Sequence, residues 1–171
     1  MELKWLIIVL FIFSLVSCIK KDVPNKSVDS YEEYRLNILD KNIVSNVTTF
    51  VFKNQDTEID KLELTYLGNI ITIKEDTLRI INSINYFGLT ANNLRASSRI
   101  YIYNTTKKLL GYYNVGSIDC LPKEILNNQL FFYYNNEECN VSTFVSLKDS
   151  IPNQLFIECK NQLGDLYQFE K

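Results

Sequence analysis

The chain has 171 residues, with 18 basic and 20 acidic side chains, a net charge of -2 and a hydrophobic content of 46%. So even a balance excludes the basic stripe of a nucleic-acid binder. The absence of histidine removes the commonest general base, the Ser-His and Cys-His nucleophile pairs and the usual zinc and iron ligand sets.

The first 18 residues, MELKWLIIVLFIFSLVSC, read as an export signal. A short start carrying Lys4 precedes residues 5–16, which are apolar except for Ser14. A helix needs about 20 apolar residues to cross a bilayer core, and Lys4, Lys20 and Lys21 hold this run well short of that. Its end, Leu15-Val16-Ser17-Cys18, resembles the lipobox of bacterial lipoproteins. The resemblance covers about the first 20 residues and implies cleavage before Cys18, alkylation of its thiol by a diacylglyceryl group and acylation, as by palmitate, of the new amino group. Two or more acyl chains give stable membrane attachment, where one gives only marginal binding. By the same resemblance, Ile19 after the lipidated cysteine implies sorting to the outer membrane of a Gram-negative envelope, with the leaflet left open. The expected division is a signal peptide at 1–17, a lipidated cysteine and tether at 18–29 and a globular domain at 30–171. Without Lys4 and Glu2 the mature chain keeps its net charge of -2.

Residues 19–29 are polar without an apolar period and read as a tether reaching roughly 18 Å. Ser30-Tyr31-Glu32-Glu33 fits a capping box at the start of one helix of about ten residues, with Tyr34, Leu36, Ile38 and Leu39 on its apolar face. Beyond that the period changes to two. Alanine occurs only at Ala91 and Ala96, whereas asparagine occurs nineteen times among many Ile, Tyr and Phe, which favours strands joined by Asn-rich turns. This usage resembles the AT-rich coding of Bacteroidota.

Strand patterns run over 47–52 and 61–66, and Gly68-Asn69 predicts a two-residue hairpin turn within 60–75. Residues 77–87 read as strand rather than helix. A second hairpin joins 99–103 to 109–114, with Ile100 and Ile102 facing one way and Tyr101 and Tyr103 the other. Residues 121–126 suit a single helical turn, and further strands are expected at 129–134, 141–147, 154–159 and 165–169. Breaks fall at Asn135-Asn136, Ile151-Pro152-Asn153 and Gly164-Asp165. The expected fold is all-β, a single antiparallel sandwich or barrel of short strands, with α+β as the fallback should 77–87 be helical.

Acidic side chains gather at Asp56-Glu58-Asp60, Glu75-Asp76 and Glu137-Glu138, without the glycine and distant glutamate of a calcium loop. With Cys18 lipidated, Cys120, Cys139 and Cys159 remain. If 141–147 and 154–159 form a hairpin with 147 opposite 154, then 159 lies opposite 142, and Cys139 stands at the same open end. That predicts a Cys139–Cys159 disulfide with Cys120 free and buried. The runs Tyr112-Tyr113 and Phe131-Phe132-Tyr133-Tyr134 put rings on both faces of their strands: one set fills the core, and the other is either covered by a second layer or exposed for contact. Burial on both faces is what central sandwich strands show; the other reading is a Tyr-rich surface for a protein or glycan that includes Tyr101, Tyr103 and Tyr113. The expected function is a lipid-anchored, non-enzymatic binding or accessory module with a protein partner in the envelope or at the cell surface. It needs no cofactor, no metal and no nucleic acid. The alternatives are a carboxylate-dependent enzyme acting on envelope polymers and an immunity-type inhibitor of a toxin.

Overall fold

The computed structural model describes residues 31–53, 59–90, 93–134 and 139–171. The signal, the lipobox, the tether, Ser30, Asp56, Glu58, the Asn135-Asn136 break, Glu137 and Glu138 lie outside the described residues. Helix α1 (Glu32–Lys41) comes first, followed by strands β1 (Val47–Lys53), β2 (Ile59–Ile71), β3 (Thr77–Gly88), β4 (Arg95–Tyr103) and β5 (Leu109–Asn114). A 3-10 turn (Ile118–Cys120) leads into β6 (Glu124–Leu126), β7 (Gln129–Tyr133), β8 (Ser142–Ser146), β9 (Gln154–Lys160) and β10 (Leu163–Glu170).

The fold is an all-β antiparallel sandwich that does not close into a barrel. Seven strands form one sheet in the order β1-β2-β3-β4-β5-β10-β9, and β6-β7-β8 form a second. Alternation dictates this layering, because β3 and β4 carry apolar side chains on both faces and must be covered on both. On one face, Ile38 and Leu39 of α1 pack on Leu62, Leu64 and Tyr66 of β2, Ile81 of β3 and Tyr101 and Tyr103 of β4. On the other, Ile80, Ile100, Ile102 and Tyr113 meet Leu130 and Phe132 of the small sheet, with Leu155 and Ile157 of β9 at the margin. Each fully buried Leu, Ile or Phe contributes about 1.5–3 kcal/mol, so the two clusters hold the layers together.

Residues 77–87 are strand as read, and the β4–β5 hairpin sets Ile100 opposite Tyr113 and Tyr101 opposite Tyr112. Gly68 and Asn69 do not turn the chain. β2 runs on through them for 13 residues, and the register shifts between Tyr66 and Gly68. The positive φ of Gly68, 118°, serves a bulge here, the other backbone feature that needs such a residue. The turn follows at 72–76, where the Thr72 amide donates to the Asp76 carbonyl and Glu75 takes φ 65°. The segment read as a helical turn at 121–126 is instead irregular at 121–123 and then β6, the 3-10 turn lying just before it at Ile118–Cys120. The turn into β10 lies at Asn161 and Gln162, both at positive φ, rather than at Gly164-Asp165. The N-cap of α1 is Tyr31, which makes no side-chain capping bond. A tyrosine hydroxyl reaches past the first turn, and this one donates instead to both carboxylate oxygens of Asp60 at 2.8 Å.

Candidate contact surface

Tyr101, Tyr103 and Tyr113 do not form an outer surface. They are 2%, 0% and 0% exposed. Their rings fill the core, and the Tyr103 and Tyr113 hydroxyls find partners far away in sequence. Arg35 of α1, itself 1% exposed, donates from Nε to the Tyr103 hydroxyl at 2.8 Å and lies 4.0 Å over the Tyr101 ring. Tyr101 accepts from Arg99 at 3.2 Å, and Tyr113 donates to the Pro152 carbonyl at 2.5 Å. Burial pushes the Tyr103 phenol up to about 12, against the pull of the Arg35 guanidinium, and burial raises Tyr113 as well.

The arginines repeat one arrangement between helix and sheet. Arg79 lies over the Tyr66 ring at 5.4 Å and donates to the Leu39 carbonyl at 2.6 Å, while Arg99 lies over Tyr112 at 5.0 Å. Tyr112 donates to Glu170 at 2.7 Å, a bond that raises its phenol. A guanidinium stacked on a ring is held by the face quadrupole and keeps its donors free for oxygens. Arg35 and Arg79 fasten α1 to the sheet, and Arg99 links neighbouring strands. The sequence signal for them was weak, since Arg35 sits in a helix whose apolar face is irregular.

Beside the start of α1 lies a cleft of about 290 Å³, lined by Tyr31, Ser83, Asn85, Phe87, Arg99 and Tyr101 among others. Its lining offers hydroxyl, amide and guanidinium groups around one aromatic wall. Asn85 Oδ1 is buried there without a hydrogen-bond partner.

Several carboxylates are held singly by neighbours of other kinds. Asp60 accepts from Tyr31, and Glu63 pairs with Lys61 at 2.6 Å and accepts from Tyr86 at 3.2 Å. Lys107 pairs with Asp40, and Glu75 and Asp76 are exposed in their turn. No group of three or more His, Cys, Asp or Glu able to hold a metal occurs among the described residues.

Cys139 and Cys159 are joined in a disulfide with Cα atoms 4.6 Å apart, and Cys120 is free and buried. The hairpin from which that pair was reasoned does not exist. β8 pairs with β7, and β9 pairs with β10. The disulfide instead links the two sheets, helped by the Glu158 amide donating to Thr143 Oγ1 at 3.1 Å. Tyr167 donates to the Cys120 sulfur at 3.1 Å.

Exposed aromatics stand at Phe87 of β3 and Phe156 of β9, and as a group on the outer face of the small sheet. Period two turns Leu130 and Phe132 inward at 0% exposure, and Phe131 and Tyr133 outward. Phe131 stands directly opposite Phe144 of β8, with ring centroids 4.9 Å apart, and stacks on Tyr133 at 6.3 Å and 10°. Tyr133 and Phe144 are 39% and 50% exposed. Of the Phe131-Phe132-Tyr133-Tyr134 run, then, half is core and half is surface. No family model, curated protein or solved structure matches the chain.

Proposed function

We propose that the protein is a lipid-anchored envelope lipoprotein that acts as a non-enzymatic binding or accessory module, attached to the outer membrane through Cys18 and contacting a protein partner through Phe131, Tyr133 and Phe144. The observation that carries this reading is the aromatic ladder on the outer face of the small sheet. Half-buried Phe131, stacked on Tyr133 and tilted against Phe144, joins those two exposed rings into a preorganised apolar patch, the kind of surface whose burial drives protein association. The lipobox-like Leu15-Val16-Ser17-Cys18 supports the anchor, and the tether of residues 18–29 lets the domain work beyond the headgroups.

The test replaces Tyr133 with a photo-reactive amino acid in the full chain in its envelope, with Thr105 in the β4–β5 turn as the control position. A discrete protein adduct at Tyr133 that is absent at Thr105, and that disappears when Phe144→Ser is added, is the expected result. Adducts equal at both positions would overturn the assignment of the surface. Membrane fractionation of Cys18→Ala tests the anchor separately. Release of that variant into the soluble fraction is expected, and retention in the membrane would refute it.

A further inference from the structure

The two edges of the seven-stranded sheet are treated differently. β9, at one end, lies against the small sheet, clamped by the Cys139–Cys159 disulfide and the Glu158 to Thr143 bond. β1, at the other end, pairs with β2 on one side and with no strand among the described residues on the other. Its sequence, Val-Thr-Thr-Phe-Val-Phe-Lys, carries only one of the usual devices against strand addition, a terminal lysine. It contains no proline, its register with β2 has no bulge, and its only charge is Lys53 at the end.

We propose that β1 is a homotypic strand-pairing edge, which joins a second copy of this chain antiparallel across a two-fold axis through Thr49. The occupant follows from the pattern of side chains. Val47, Thr49 and Val51 share one face and are all exposed, the valines at 56% and 66%. With Thr49 opposite its counterpart, Val47 meets Val51 of the second copy on both sides of the axis, so the stripe is its own complement. On the helix side the same register brings the second copy's Phe50 and Phe52 opposite Thr48 and Asn46. There they meet a recess of about 440 Å³ lined by Ile38, Lys41, Ile43 and Val47 along with those two residues. Seven paired residues make a small interface, and confinement to one membrane would raise the local concentration that fills it. The pairing rests on β1 and does not depend on the aromatic surface proposed above.

Disulfide trapping in the full chain tests it. Under mild oxidation, Thr49→Cys copies should link into a dimer on a non-reducing gel, well above the level of Thr105→Cys copies in the β4–β5 turn. Val47→Cys mixed with Val51→Cys should link, whereas Val47→Cys alone should not, because two-fold pairing leaves Val47 four residues from its own counterpart. Thr49→Lys places like charges opposite each other across the axis yet faces Glu63 within its own sheet, so it spares the monomer fold. In sedimentation of the otherwise unaltered chain, that substitution should weaken dimerisation about tenfold. Linking of Thr49→Cys no greater than at Thr105, or of Val47→Cys alone as strongly as the mixture, would overturn the proposal.

Discussion

Removing the disulfide by Cys139→Ala together with Cys159→Ala tests the idea that the small sheet is held to the large one by a covalent clamp. The two cysteines are 20 residues apart in sequence. Releasing a closed loop of that size restores chain entropy worth about 3 kcal/mol in the unfolded state. For a domain of this size such a loss lowers the melting temperature by roughly 10 °C. Urea unfolding of the variant and the parent gives the difference directly, and the folded variant should still show the parent's strand signal. Hydrogen exchange adds a local test. The Glu158 amide, which donates to Thr143 across the sheet junction, should lose protection more than the amides of β3 and β4 in the middle of the sheet. A stability change under about 1 kcal/mol would refute the clamp, as would uniform loss of protection across both sheets.

Three further outcomes follow from the core. Tyr103→Phe removes the acceptor of the bond from Arg35 Nε and should cost about 1–3 kcal/mol in urea unfolding, whereas a loss below about 0.5 kcal/mol would mean that this bond does not hold α1 in place. Raising the pH should unfold the protein. The Tyr103 phenol lies near 10.0 when unfolded and about 12 when folded, so its share of stability is intact below pH 10 and falls by about 2–3 kcal/mol as the pH climbs to 12. Burial raises Tyr113 in the same sense, so the part of the tyrosinate absorbance that Tyr103→Phe or Tyr113→Phe removes should appear only with loss of the fold, and its appearance near pH 10 with the fold intact would refute this. Gly111→Ala places a Cβ 2.5 Å from Cζ of Phe169, at a φ of 152°, and should cost about 2 kcal/mol or more by calorimetry through forcing β10 off β5. A melting temperature equal to the parent's would show that the pair yields without cost.

The parts of this fold that could be read in advance depend on neighbours close in sequence. Ile100, Tyr101, Ile102 and Tyr103 alternate, and a polar turn follows, so the β4–β5 hairpin was legible down to its faces. What the alternation could not say is which face of a tyrosine strand meets water. A tyrosine is buried when its hydroxyl finds a partner, and here the partners stand 68 residues away at Arg35 and 39 away at Pro152. Those distances carry no local signal, so the choice between surface and core stayed open in the sequence, and the structure buries Tyr101 and Tyr103 under α1 and Tyr113 on the opposite face. Gly68-Asn69 failed for a different reason. Positive φ is shared by tight turns and bulges, and only the pairing of β2 with β3 across that point separates the two. The outward ladder of Phe131, Tyr133 and Phe144 needed the small sheet itself, since Phe131 and Phe144 meet only when β7 and β8 pair.

The cysteines connect the start of the chain to its sheets. Disulfides mostly persist in oxidising compartments, and the export signal proposed for the first 18 residues would carry the chain to one. The leftover thiol fits the same history. Cys120 is 6% exposed and accepts a hydrogen bond from Tyr167, so in the folded chain it is shut away from the exchange that would scramble the Cys139–Cys159 pair. Order of formation then matters. Before the core closes Cys120 competes with Cys139 and Cys159, and its packing in the cluster with Leu121, Phe132 and Tyr134 removes that competitor and leaves the pair across the sheet junction. On this argument Cys120→Ser puts a polar hydroxyl where a small apolar group is packed, and Cys120→Ala keeps the core apolar. Oxidative refolding of Cys120→Ala should yield the native disulfide at least as efficiently as the parent, and slower or mispaired refolding would show that Cys120 takes part in forming the pair.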